Sequence, residues 1–378
     1  MIGKQNFSLH VQERTFLKRI DWKFALIIFA LNIIGLINLY SATHGAGEVG
    51  TDRLFIAQIF WLLVGWLFYF LVTFIDYQVF LRLSYLIYSL NLMALIAVIF
   101  MGKVALGARR WLDFGFFSYQ PSETMKIALV LILARIMSQK SFPDGLGLKE
   151  LIVPLGVIIG VPFLITAGQP DLGSAMMIFI VGSSILLFLR IKTKILVIMS
   201  LGLVLAGVGG WFFAMHDYQK DRVYTFLDPT RDPRGKGYNS IQSKIAVGSG
   251  KLIGKGFQKG SQSQLEFLPE RHTDFIFSVL SEEHGFAGSG LTIGLFAWLF
   301  FFGIRNAIQA RDKAGAIVAV GVMAILFWHQ FINIAMVIGL LPIVGIPLPL
   351  LSYGGSNMLT TMAALGLVSS VSYRKHMF

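Results

Sequence analysis

The 378-residue chain contains no cysteine, which excludes disulfides, Cys-ligated zinc and a thiol nucleophile. Charge is scarce as well. Only 14% of the residues are Asp, Glu, Lys or Arg, against about 25% in a soluble domain. Familiar catalytic signatures are also missing: His-Glu-x-x-His and Gly-x-Ser-x-Gly do not occur. Gly248, Gly250, Gly254 and Gly256, with Lys251 and Lys255, do not form Gly-x-x-x-x-Gly-Lys-[Ser/Thr], so a P-loop for nucleotide is excluded.

Hydrocarbon fills the chain instead. Hydrophobic residues make up 55% of it and the mean hydropathy is +0.70, more apolar surface than a water-soluble fold can hide. Apolar runs lie near 24–42, 54–74, 85–101, 124–137, 151–167, 174–189, 195–215, 286–304, 316–340 and 358–372. Most approach the roughly 20 residues that cross a bilayer; the fourth is short and carries Lys126 and Arg135. The first run is longer than the roughly 7–15 apolar residues of a signal peptide, so it is expected to be a retained span. A helix satisfies its own backbone in lipid, and no alternating strand pattern is visible. The expected fold class is therefore all-α, a polytopic integral membrane protein of about ten transmembrane helices forming one domain over 1–378.

Lys and Arg in the short loops set the orientation. One face receives Lys4, Arg14, Lys18, Arg19 and Lys23, then Arg82, Lys140, Lys149, Arg190, Lys192, Lys194, Arg305, Arg311, Lys313, Arg374 and Lys375. Both termini, including the lead-in 1–23, are expected to be cytoplasmic. The net charge of +12 is thus divided among membrane faces and speaks for membrane lipid as a partner, with no nucleic acid. Segments 102–123, 169–173, 216–274 and 341–357 then fall on the outer face. The longest, 216–274, is a large extracytoplasmic loop between the seventh and eighth spans, of the kind that is either functional or disordered. The apolar spacing of 240–252 favours partial order.

Acidic residues number only 20, so those at membrane depth or at its outer boundary stand out: Glu123, Asp171, Asp274, Glu282 and Glu283. In lipid such groups face a cavity or a partner. Glu123 and Lys126, three apart, share a helix face, as a structural ion pair or as part of a site. Arg135 at the far end of that helix snorkels. Asp274 stands where the long loop re-enters an apolar run, a partly desolvated carboxylate suited to a base. Arg271 and His272 act against that, and an acid in a first helical turn explains the position as well. Arg109, Arg110 and Lys126, with Arg222, Arg231 and Arg234, suit a phosphate or pyrophosphate, or anionic lipid headgroups. An enzyme acting on a lipid-linked anion and a transporter of one both remain open from the residues alone.

Four stretches narrow the choice: GARRWLDFGFFSYQPSE (107–123), QPDLGSA (169–175), GSGKLIGKGFQKGSQSQLEFLPERHTDFIFSVLSEEHGF (248–286) and GLLPIVGIPLPLLSYGGSNM (339–358). In this order they resemble the SEDS family of shape, elongation, division and sporulation proteins, with His284 standing where that family often has Leu. The resemblance implies a SEDS-like ten-helix fold in the bacterial inner membrane. It also implies a peptidoglycan glycosyltransferase that polymerises lipid II, a disaccharide-pentapeptide on undecaprenyl pyrophosphate, during cell elongation. Asp274 would be its catalytic residue, the general base, on the outer face, and Glu123, Lys126 and Asp171 would line its polar cavity. A class B penicillin-binding protein, the transpeptidase, and the elongation machinery are the implied partners. Pyrophosphate gathers negative charge as it leaves, and cations must meet it; Arg109, Arg110 and Lys126 are the candidates, with Lys126 held by Glu123 and Asp171. A divalent cation such as magnesium or manganese is a further candidate whose ligands the sequence does not name. A flippase for lipid II is the alternative, but it calls for acids along a path to both faces, whereas these gather near one. A scaffold for the transpeptidase leaves Asp274 idle.

Overall fold

The computed structural model describes residues 19–44, 52–105, 108–115, 118–213, 217–232, 235–265 and 267–375; the lead-in as far as residue 18, and Arg234, lie outside them. In chain order the helices are α1 (Trp22–Thr43), α2 (Asp52–Phe74), the short α3 (Tyr77–Arg82), α4 (Ser84–Met101), α5 (Pro121–Ser138), α6 (Leu148–Gly168), α7 (Leu172–Phe188) and α8 (Thr193–Phe213). There follow α9 (Asp217–Leu227), α10 (Lys236–Ser249), the single turn α11 (Ser261–Gln264), α12 (Ile276–Ile308), α13 (Lys313–Val337) and α14 (Gly355–Tyr373). Among the described residues seven of these, α1, α2, α4, α6, α8, α12 and α13, are long and apolar enough to cross a membrane. The protein is a multi-pass membrane protein of predominantly α-helical fold.

Apolar side chains surround the bundle, so polar contacts mark where helices are locked together. α14 lies along α2, where Tyr69 and Ser369 share a hydrogen bond of 2.6 Å. Arg374 donates to the carbonyls of Thr73 (3.1 Å) and Phe74 (2.6 Å), tying the ends of these two helices together. α5 differs from the rest. Pro121 opens it, in the position where a missing N–H costs nothing, and α4, α7 and α13 enclose it. Its charged residues Glu123 and Lys126 are buried inside the protein. At the other extreme, α8 buries none of its residues, so its whole apolar surface is left for lipid.

The segment expected as a plain loop at 102–123 holds a small antiparallel sheet in the order β1 (Lys103–Ala105), β2 (Ala108–Asp113), β3 (Ser118–Tyr119). The all-α expectation therefore acquires a ribbon at one end of the bundle; strand pairing satisfies backbone groups that a bare loop would leave open. Much of 216–274 is ordered too, and α10 supplies the order expected at 240–252.

The eighth span departs from its expected start at 286, for a physical reason. The expected apolar run lies after Glu282 and Glu283, yet the helix begins at Ile276 and runs past them, breaking at Gly285 (φ 62°, ψ −159°). The break frees backbone groups that segment 251–256 takes up. Lys255 and Gly256 donate their N–H groups to the carbonyls of Glu282 (3.0 Å) and Glu283 (2.9 Å), while Phe286 and Ala287 donate to Lys251 and Leu252 at 2.9 Å each. Lys255 Nζ lies 2.6 Å from Glu282 Oε1, and Ser41 Oγ donates to Glu283 Oε1. The glycine-rich stretch is thus a clasp across a broken helix. At Gly254 (φ +82°) a Cβ would strike the Glu283 carbonyl. Gly254→Ala is therefore expected to lower the melting temperature in detergent by several degrees, whereas Gly290→Ala, with open space around it, leaves it unchanged.

Candidate functional site

A cation inside a helical bundle has to be met on every side. Lys126 projects from the second turn of α5 and is 1% exposed. Its Nζ lies 2.7 Å from Glu123 Oε1 and 2.7 Å from His329 Nε2. Glu123, three residues earlier, comes from the same helix face; His329 comes from α13 and is itself buried. The expected second carboxylate, Asp171, acts on Lys126 electrostatically without a direct contact. It caps α7 by accepting the N–H of Ser174 at 3.3 Å, and its Oδ1 is 3.9 Å from Arg110 Nη1. Arg110 also donates to the Pro170 carbonyl at 2.6 Å, so it fastens β2 to the start of α7. Arg109 is turned elsewhere: it donates to the Ile99 carbonyl at the end of α4 and is exposed.

Asp274 meets α13 one turn further along, at Asn333. The residue at the N-cap of α12 is Phe275, and no acid occupies the first turn. Asp274 stands immediately before that N-cap residue. The backbone of 272–274 is held in three places. Asn333 of α13, fully buried, donates one Nδ2 hydrogen to the Asp274 carbonyl and another to the Ile346 carbonyl, each at 2.8 Å. Ser352 Oγ donates to the Thr273 carbonyl at 2.7 Å, and the Tyr353 N–H donates to the His272 carbonyl at 2.9 Å. Arg271 Nε donates to the Ala42 carbonyl on α1. Burial pushes the His272 imidazole below the usual histidine range, so it is neutral at neutral pH.

The elements around α13 bring these groups together. His329 and Asn333 are four residues apart, on one face of one helix, about one turn or 5.4 Å along its axis. Lys126 is held at the first position and the Asp274 backbone at the second. α7 closes the side, since Gly173 packs against Val344 and Ile346 of the loop after α13. Lys126, Glu123, Asp171, Arg110 and Asp274 thus flank one region, and Arg109 does not join them. His329 and Asn333 were missed in the sequence, although a His, a Gln and an Asn within the apolar run 325–337 were a usable signal. No group of three or more His, Asp or Glu side chains able to hold a metal occurs among the described residues. We therefore derive no step through a divalent cation.

The sequence profile of the cell cycle protein family of FtsW, RodA and SpoVE matches residues 22–377. The peptidoglycan glycosyltransferase MrdB of Escherichia coli is 45% identical over 292 residues, 77% of this chain and 78% of MrdB. Stage V sporulation protein E of Bacillus subtilis is 36% identical over 358 residues, 93% of this chain and 96% of that one. Among solved structures, a chain of a peptidoglycan synthase complex that coordinates polymerization and crosslinking aligns with a TM-score of 0.81 at 27% identity, covering 95% of this chain and 99% of that chain. The rod shape determining protein RodA of Thermus thermophilus aligns with a TM-score of 0.71 at 25% identity, covering 94% and 98%.

The burial of Lys126 with Glu123 makes a stability prediction independent of activity. Lys126→Met leaves a carboxylate inside the bundle without its cation, at a cost of about 3–5 kcal/mol. Adding Glu123→Gln removes that charge, so the double variant is expected to melt higher than Lys126→Met alone when both are followed by thermal unfolding in detergent.

Proposed function

Because this chain belongs to the FtsW, RodA and SpoVE family of cell cycle proteins, we propose that Asp274 and the Lys126 centre are the two working parts of its glycosyl transfer. The protein is a peptidoglycan glycosyltransferase that polymerises lipid II. The sugar hydroxyl of one lipid-linked chain attacks the anomeric carbon of another, the bond from that carbon to the pyrophosphate oxygen breaks, and undecaprenyl pyrophosphate leaves. No ATP is required, since the pyrophosphate linkage already stores the driving energy.

An alcohol is a weak nucleophile, and its proton must be taken as the new bond forms. Asp274 is the base: a half-buried residue whose carbonyl is held by Asn333 and whose two preceding carbonyls are held by Ser352 and Tyr353. The leaving pyrophosphate concentrates charge at the opposite end of the reaction. Lys126, already fixed before substrate arrives, meets it without having to reorganise, with Arg110 as the second cation. The observation that supports this reading is the shared face of α13, on which His329, the partner of Lys126, and Asn333, the partner of the Asp274 carbonyl, are about one helical turn apart.

We assign the site to the end of the bundle whose short loops are poorer in Lys and Arg, the outer face by the positive-inside bias, which leaves both termini cytoplasmic. Together with α5, α7 and α14 the seven apolar helices give ten crossings. The sugars stay at the aqueous boundary while the isoprenoid lies along apolar helix walls such as α8. Assembly follows the same relationship: the chain works in a peptidoglycan synthase complex, with a class B penicillin-binding protein crosslinking the strands it makes for the elongation machinery.

The test is polymerisation of lipid II by the purified protein, with and without its transpeptidase. Asp274→Asn is expected to bind lipid II and melt as wild type does, and to make glycan at least about 100-fold more slowly. Glycan synthesis at the wild-type rate by that variant removes Asp274 as the base. Transport of lipid II across vesicles without polymer, by wild type with its partner, would support the flippase instead.

A further inference from the structure

We infer that His329 is a positioning residue that aims Lys126 at the leaving pyrophosphate, an inference that rests on Lys126 serving the glycosyl transfer. An ammonium has three N–H groups arranged tetrahedrally about nitrogen. One is directed to Glu123 Oε1 and one to His329 Nε2, both at 2.7 Å. The third has no hydrogen-bond partner among the described residues. Two fixed bonds from two different helices remove rotation about the terminal C–N bond, so the direction of the third N–H is set before a substrate oxygen arrives. With Glu123 alone the ammonium would pivot about a single contact.

The chemistry of the second anchor matters as much as its place. To accept from Lys126, Nε2 must carry the lone pair, which puts the ring proton on Nδ1. The ring is then neutral, and it holds the ammonium without cancelling its charge. A carboxylate in that position would be the second beside Lys126, after Glu123, and would leave the centre net negative towards the pyrophosphate. The arrangement carries a cost, for Nδ1 is buried and has no partner, and a buried unsatisfied donor is unfavourable. Packing does not explain that cost. His329 is 2% exposed between apolar residues of α13 such as Leu326 and Ile332, where an aliphatic side chain would pack without it. The polar ring is in place for what its other nitrogen does.

The experiment compares His329→Gln, His329→Leu and Lys126→Met in lipid II polymerisation with the transpeptidase present, recording kcat, KM and melting temperature for each. Gln retains an uncharged acceptor on a side chain of similar reach; Leu retains volume without one. For His329→Leu the expected result is a loss of about tenfold or more in kcat with KM for lipid II nearly unchanged. His329→Gln recovers most of that turnover. A merely structural histidine would change melting temperature and would show no such recovery. The inference is overturned if His329→Leu turns over at the wild-type rate, or if His329→Gln is as slow as His329→Leu. If His329→Leu does not fold, His329→Met makes the same comparison. Normal polymerisation by Lys126→Met would sink the assignment of Lys126 itself, and the two failures are told apart because they are read on different variants.

Discussion

An ammonium group enclosed in a membrane bundle cannot be left to the surrounding hydrocarbon, and much of this protein is arranged around meeting that demand at Lys126. Moving such a charge out of water costs several kcal/mol unless hydrogen bonds and an opposite charge replace the solvent. Glu123 supplies the charge and His329 the second bond. The helix that carries the pair must then be central, which accounts for α5 being enclosed while more apolar helices lie outside it. The helix opposite must present polar groups on one face, and α13 does so with His329 and Asn333. Because Asn333 then holds the Asp274 backbone, the same requirement that solvates Lys126 also positions Asp274 one turn further along.

A second constraint acts on the backbone. Lipid offers no partner for an open N–H or C=O, so a helix can break at membrane depth only where another segment replaces its lost bonds. At Gly285 the replacement is the 251–256 clasp, which also brings Lys255 to Glu282. The long polar segment therefore has a structural duty in addition to carrying Asp274 at its end. Glu282 and Glu283, which in the sequence belong with the chemical candidates, are accounted for by this junction. The glycines that suggest phosphate binding are there because backbone passes against backbone.

How much of this could be read from the chain depends on the range of the interaction. The long apolar helices were legible because hydropathy is a local sum over about 20 residues. Glu123 and Lys126 were legible as a pair because three residues along a helix fix their proximity. Asp274 was marked by its boundary position, and its role came from the resemblance of the surrounding stretch to a known family. The polar residues of 325–337 could have flagged His329, but its pairing was not legible: its partner is 203 residues away, and no local pattern connects a histidine in an apolar helix to a lysine on another. The β-ribbon and the early start of α12 escaped for the same reason. The first depends on pairing of short strands without a strong apolar alternation, the second on acids satisfied by a segment some 20–30 residues earlier in the chain.

The central claim is that one substrate is held between the Lys126 centre and Asp274. It is tested most directly by a cryo-electron microscopy structure of the Asp274→Asn protein with lipid II bound. The account predicts a pyrophosphate oxygen within hydrogen-bonding distance of Lys126 Nζ and a sugar of the bound substrate facing the side chain at position 274. A pyrophosphate seated instead on Lys251, Lys255 or Lys259 of the long polar segment, with Lys126 closed off from it, would contradict the account.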